Sequence, residues 1–312
     1  MDKITGLEKY KRLVLLAGLA SVGTAIIFVV VKFGVWMVSG SSVIFASLTD
    51  SIFDCLASLV NLLALKFSLT PPDNEHRFGH YKTQALASLA QSAFIGGSAS
   101  ILISEGLYKF FSPQPLKSID LAIYVSVFST LFTVLLILFQ GYVYRLTKSE
   151  AISADRLHYT ADVMLNISVI ISLYLSYMGY LWADGLFAAL IGLFILKGAY
   201  DIGMNAVQIL LDHSLDSKDI SKIITIIVNE PGITSIHDLK THHAGPMVFI
   251  QGHIVMDGRL DLVTCHNIIN NVEHNLRKVF VNAEIILHME PDEKKTYDEV
   301  EFKDTSFPGG NA

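Results

Sequence analysis

Over its first two thirds the chain alternates long apolar runs with short polar breaks; after that its rhythm changes. Segments long enough to cross about 30 Å of hydrocarbon lie at 13–37, 43–67, 84–110, 119–143, 158–180 and 182–206. The first follows MDKITGLEKYKRL and is too long for the apolar core of a signal peptide, so it reads as an uncleaved span. The fifth begins at a histidine and carries an aspartate, which lowers its hydropathy. Beyond residue 211, SKDISKIITIIVNE places Ile220, Ile223, Ile224 and Ile227 on one helix face. PGITSIHDLKTHHAGPMVFIQGHIVMD reads as two strands joined around HAGP. Helical spacing returns through Leu262, Ile269, Val272 and Leu276, and AEIILHME closes as a strand. The order α-β-β-α-β predicts a small α+β domain with its helices on one sheet face. The expected division is a six-span helical membrane domain over 1–211, this domain over 212–291, and a flexible tail over 292–312 that ends in FPGGNA.

Composition supports that division. The 312 residues are 52% hydrophobic and 17% charged, with a mean hydropathy of +0.48, whereas a soluble chain is nearer a quarter charged. The net charge of −6 gives no reason to expect a nucleic-acid partner, and its acidic excess lies partly in the solvated EPDEKKTYDEVEFKD stretch. Cys55 and Cys265 form neither a C-x-x-C motif nor a disulfide framework, so both read as small apolar filler. Lys3, Lys9, Lys11 and Arg12 precede the first span. Lys66, Arg77 and Lys82 lie between the second and third, and Arg145, Lys148 and Arg156 between the fourth and fifth. The opposite connections hold only Lys117. By the positive-inside rule both termini are expected in the cytoplasm.

Against this apolar background four ionisable residues stand out. Asp50 and Asp54, in SLTDSIFDCLASLV, lie one helical turn apart on one face. His158 and Asp162, in DRLHYTAD, repeat that spacing on the fifth span. A charge near the bilayer centre costs several kcal/mol, roughly 2.5–3.5 per Asp, so something must neutralise these carboxylates. One imidazole and three carboxylates form a tetrahedral set for zinc or a similar first-row divalent cation, which would do so. Lys32, near the outer end of the first span, reads as snorkelling to the interface. In the second-to-third connection, PPDNEHRFGHYK offers Asp73, His76 and His80 within eight residues, a zinc set once a fourth ligand or water joins. An ordinary polar loop is the alternative.

The two membrane motifs, together with SLTDS, HRFGH, LAQSAFI, ADGLFA and HDLKT, resemble the cation diffusion facilitators, in particular the bacterial ferrous-iron and zinc efflux type, from about residue 10 to 291. That resemblance implies a homodimer in the bacterial inner membrane with a ferredoxin-like cytoplasmic domain. It also implies proton-coupled efflux. By position, Asp50, Asp54, His158 and Asp162 match the transport site, and Asp73, His76 and His80 a second metal site. His237, His253, His266 and His288 match histidines of a two-metal cytoplasmic site, which Glu290 joins where relatives tend to carry aspartate. Lys82 and Asp212 match an ion pair tying the two halves together. His242, His243 and His274 match no role and read as surface histidines.

The expected function is export of Zn²⁺, and also Fe²⁺ or Cd²⁺, in exchange for protons, with no organic cofactor. A histidine among the membrane ligands favours Zn²⁺ over the harder ions. An intramembrane hydrolase would want an H-E-x-x-H helix or its equivalent, and the chain has none. A metal sensor or scaffold would not need four polar membrane ligands. A passive channel stays open on sequence alone.

Overall fold

The computed structural model describes residues 2–39, 42–112, 120–178, 180 and 182–292. The connection bearing Lys117 and the tail beyond residue 292 lie outside them. Leu7–Leu211 and the chain from Asp212 onward form separate compact units.

The first unit is a bundle of six long helices: α1 (Asp2–Ser39), α2 (Ser42–Ser68), α3 (Thr83–Phe111), α4 (Asp120–Thr147), α5 (Glu150–Tyr177) and α6 (Ala183–Leu210). Among the described residues, five of them, α1 to α4 and α6, carry an apolar stretch long enough to cross a membrane. In α5, equally long at 28 residues, Asp155, Arg156, His158 and Asp162 dilute the apolar run. Large apolar side chains such as Val30, Phe53, Leu138 and Leu190 point outward, as lipid-facing positions should.

The fifth helix starts eight residues earlier than its apolar run suggests. Lys148 takes a left-handed conformation (φ 53°) and with Ser149 turns the chain directly from α4 into α5. Helix ends tolerate charge without losing their hydrogen bonds, so hydropathy misses them. Elsewhere α3 and α6 cross at glycines. A Cβ on Gly106 would lie 2.6 Å from the Ala189 nitrogen, and one on Gly185 would collide with the Phe110 nitrogen. Small residues allow such backbone contact between membrane helices.

The second unit runs α7 (Ser217–Val228), β1 (Ile233–Ala244), β2 (Met247–Met256), α8 (Leu262–Val279), β3 (Ala283–Pro291), the expected α-β-β-α-β order. Gly245, at φ 52°, opens the two-residue β1–β2 turn, where only glycine adopts such a backbone freely. The sheet order is β1-β2-β3; β1 and β2 are antiparallel, β2 and β3 parallel. Asp261 caps α8, its carboxylate accepting from the Thr264 amide and hydroxyl, both at 2.9 Å.

The core lies on one sheet face. Ile223 and Ile227 of α7, Ile250, Ile254 and Met256 of β2, Ile269, Val272 and Leu276 of α8, and Ile285 of β3 pack together. Leu262, which the helical spacing placed on the inner face, is 75% exposed in the first turn of α8. Because strand side chains alternate, Gln251, His253, His288 and Glu290 point to the face opposite the helices.

Candidate metal centres

In the membrane unit α2 and α5 bring Asp54, His158 and Asp162 together, with ligand-type atoms all within 4.8 Å of one another. His158 Nε2 lies 3.0 Å from Asp54 Oδ1 and 4.0 Å from Asp162 Oδ2. The helices are fastened beside this point: the Ser58 and Tyr159 hydroxyls are 2.9 Å apart, and Tyr159 donates to the Ser21 carbonyl at 3.3 Å. Ser58 is one turn beyond Asp54, and Tyr159 follows His158, so one contact sets the register of both ligand pairs. Asp50 stands one turn from Asp54, outside the tight cluster. It lines the same cavity of about 190 Å³ with Asp54, Asp162, Ser51, Asn166 and Lys32.

Two features there escaped the sequence. Lys32 does not snorkel. Its amino group donates to Ser51 Oγ at 2.7 Å and to the Ser47 carbonyl at 3.2 Å, both acceptors on α2. Asp155, one turn before His158, is almost completely buried (1% exposed). Its Oδ2 accepts from Ser21 Oγ at 2.6 Å and from Gln140 Nε2 at 2.7 Å, joining α1, α4 and α5. Only the i,i+3 spacing from His158 hinted at it.

The connection between α2 and α3 gathers Asp73, His76 and His80. Asp73 is 3.4 Å from His76 Nδ1 and 3.5 Å from His80 Nε2. The His76 amide, donating at 2.6 Å, and the Glu75 amide, at 2.9 Å, hold the Asp73 carboxyl below the usual carboxylate range, the His76 bond contributing most. His80 is buried. The Thr70 hydroxyl spends its one proton on the Phe67 carbonyl (2.6 Å), so its contact with His80 Nδ1 at 3.0 Å needs Nδ1–H as donor. A neutral His80 therefore turns the lone pair of Nε2 toward Asp73. Two acceptors facing each other are arranged for a cation.

On the open sheet face His237, His253 and His288 stand in one register row across the three strands, with neighbouring ring centroids 5.2 and 5.1 Å apart. Glu290 spans two of them, 2.8 Å from His253 Nδ1 and 3.3 Å from His237 Nε2. His237, His253 and Glu290 form a ligand-type cluster. His288 adjoins it, whereas His266 lies exposed on α8, across the sheet. The β1 bulge after His237 leaves Asp238 at φ 48°, with Oδ2 3.9 Å from His253 Nε2. A bulge has no clear sequence signature here.

His242 lies 3.3 Å from Asp212 and stacks on Phe249 at 4.6 Å, so it is not a free surface histidine. Burial, reinforced by the neighbouring His242, holds His243 below the ordinary imidazole range. His274 is exposed. Lys82 donates to the Leu210 carbonyl at 3.5 Å within its own unit.

Comparison with known proteins covers almost the whole chain. Residues 18–211 match the cation efflux transmembrane domain, and residues 215–292 the cation efflux protein cytoplasmic domain. The cation-efflux pump FieF of Shewanella oneidensis is 41% identical over 288 residues, 92% of this chain and 97% of its own. That of Pectobacterium atrosepticum is 44% identical over 282 residues, 90% of this chain and 94% of its own.

Proposed function

The chain belongs to the cation efflux family, and from that premise we propose that it exports divalent transition-metal cations, Zn²⁺ foremost and also Fe²⁺ or Cd²⁺, from the cytoplasm in exchange for protons. It is a membrane transporter, not an enzyme. The proposed setting is the bacterial inner membrane, with both termini cytoplasmic and two copies paired through the second unit. The observation that carries the reading is the convergence of Asp54, His158 and Asp162 from two facing helices, with Asp50 in the same cavity.

The chemistry runs from the donor set. Carboxylates supply charge and His158 supplies a borderline-soft nitrogen, a mixture that suits zinc. Metal binds an imidazole only in its neutral form, so protons reaching the site compete with the cargo. Alternating access then exposes one cavity to each side in turn, loading metal inside and protons outside. The Asp73–His76–His80 and His237–His253–Glu290 groups are proposed as further metal sites, structural or regulatory, because both lie outside the membrane helices.

Zinc uptake into proteoliposomes, with and without an imposed pH gradient, tests the reading. Parental protein should transport faster with the gradient, and Asp54→Ala should abolish transport while melting as the parent does in metal-free detergent. Near-parental uptake by Asp54→Ala would sink the assignment, and uptake indifferent to the gradient would remove the proton exchange.

A further inference from the structure

Lys32 has no part in that reading, yet it lines the cavity. Ser47 with Ser51 and Asp50 with Asp54 are i,i+4 pairs, and Ser47 with Asp50 and Ser51 with Asp54 are i,i+3 pairs, so the four share one face of α2. The Lys32 amino group is hydrogen-bonded to two members of that set, Ser51 and Ser47, and the other two are the acids. Of the carboxylates, Asp54 acts most strongly on the Lys32 charge, then Asp162 and Asp50. An ammonium within a membrane helix is costly, and this one is held at the cavity by its bond to Ser51.

Charge counting gives the inward orientation a purpose. Ionised Asp50, Asp54 and Asp162 carry three negative charges and Lys32 one positive, with His158 neutral. The remaining two negative charges are cancelled by one divalent cation or by two protons. Without Lys32, a cavity loaded with a divalent ion would keep one uncompensated negative charge and hold its cargo more tightly.

We infer that Lys32 is a tethered counter-cation of the transport cavity, which shares the carboxylates with the cargo, weakens its binding enough to permit release, and matches the site to an ion of charge two. This rests on the reading of Asp50, Asp54, His158 and Asp162 as the transport site. The Lys32 amino group is hydrogen-bonded to Ser51 and Ser47; it acts on the carboxylates through charge, as a specificity-determining residue.

The test uses the full-length protein, titrated calorimetrically with zinc chloride, and reads the binding component that Asp54→Ala removes. Lys32→Gln and Lys32→Met should tighten that component by about tenfold or more, a change of about 1.4 kcal/mol per tenfold, and should slow zinc turnover in vesicles. Lys32→Arg, which keeps the charge, should stay within about twofold of the parent, the range such a tenfold effect leaves distinct. An unchanged affinity in both neutral variants overturns the inference and leaves the transport site standing. Absence of any Asp54-dependent component in the parent overturns both. If neither neutral variant folds while Lys32→Arg does, the charge is a structural requirement and the inference falls.

Discussion

Asp155 offers a quantitative test of what fastens the site helices. Replacing it with alanine removes the acceptor that Ser21 and Gln140 share, at 2.6 and 2.7 Å. Each donor keeps a fallback: Ser21 Oγ is 3.1 Å from the Ala17 carbonyl, and Gln140 Nε2 is 2.9 Å from Ser21 Oγ. Neither is orphaned, so each loss is worth about 1 kcal/mol rather than the upper end of about 3 for an unsatisfied buried group. With the void left behind, Asp155→Ala should cost about 2–3 kcal/mol, or about 4–12 °C of melting temperature by the scaling of domains near this size. Asp155→Asn keeps an oxygen for both donors and should cost less than about 1 kcal/mol. Thermal melting of the metal-free protein in detergent, followed by tryptophan fluorescence and by size exclusion, measures both. If Asp155→Ala melts with the parent, the network does not hold α1, α4 and α5 together. If Asp155→Asn is as damaging as Asp155→Ala, the charge matters and the hydrogen-bond count does not.

His158→Asp makes the membrane set all oxygen and should lower the preference for Zn²⁺ over Mn²⁺ in competitive vesicle uptake; an unchanged ratio would place selectivity in helix packing. Glu290→Ala should weaken zinc binding at the cytoplasmic group more than His288→Ala does, because Glu290 reaches both His237 and His253 whereas His288 stands outside that cluster, its ring beside that of His253; calorimetry that ranks them the other way refutes the assignment. Asp261→Ala should loosen the start of α8 by leaving the Thr264 amide without its side-chain acceptor, read as lower amide protection at its first turn. The Asp261 carboxyl is held below its usual range, chiefly by the Thr264 amide, so its contribution is present above the unfolded carboxyl value and is lost as pH falls through the lower, folded one. Amide protection at that turn, taken relative to the intrinsic exchange rate at each pH, that stays unchanged in acid would contradict that sign.

Where two residues lie on one helix, the sequence is a sufficient guide to the face they share. The i,i+4 spacings of Asp50 with Asp54 and of His158 with Asp162 determine a shared face whatever the neighbours do. The α-β-β-α-β order was likewise readable, since period-2 and period-3.6 patterns differ. The direction of Lys32 was not, because a lysine that snorkels and one that bonds inward share the same local sequence; the difference is a serine hydroxyl fifteen or more residues away on α2. Nor was the row of His237, His253 and His288 readable, because it depends on an antiparallel and a parallel register at once. The gap between His266 and that row has the same origin: α8 carries it to the core side of the sheet. Asp238 depends on a bulge, which is decided by pairing.

The glycine contact between α3 and α6 bears on how such a protein moves. Two rods whose backbones touch cannot slide: advancing α6 by one turn, about 5.4 Å, would carry Ala189 into the space that admits only Gly185. The pair therefore behaves as a chassis. Neither α3 nor α6 bears Asp50, Asp54, His158 or Asp162, so the proposed cargo ligands lie on α2 and α5, outside that pair. Spin labels placed along α3 and α6 will keep their separation through the transport cycle, and labels that pair α2 or α5 with that frame will record the stroke.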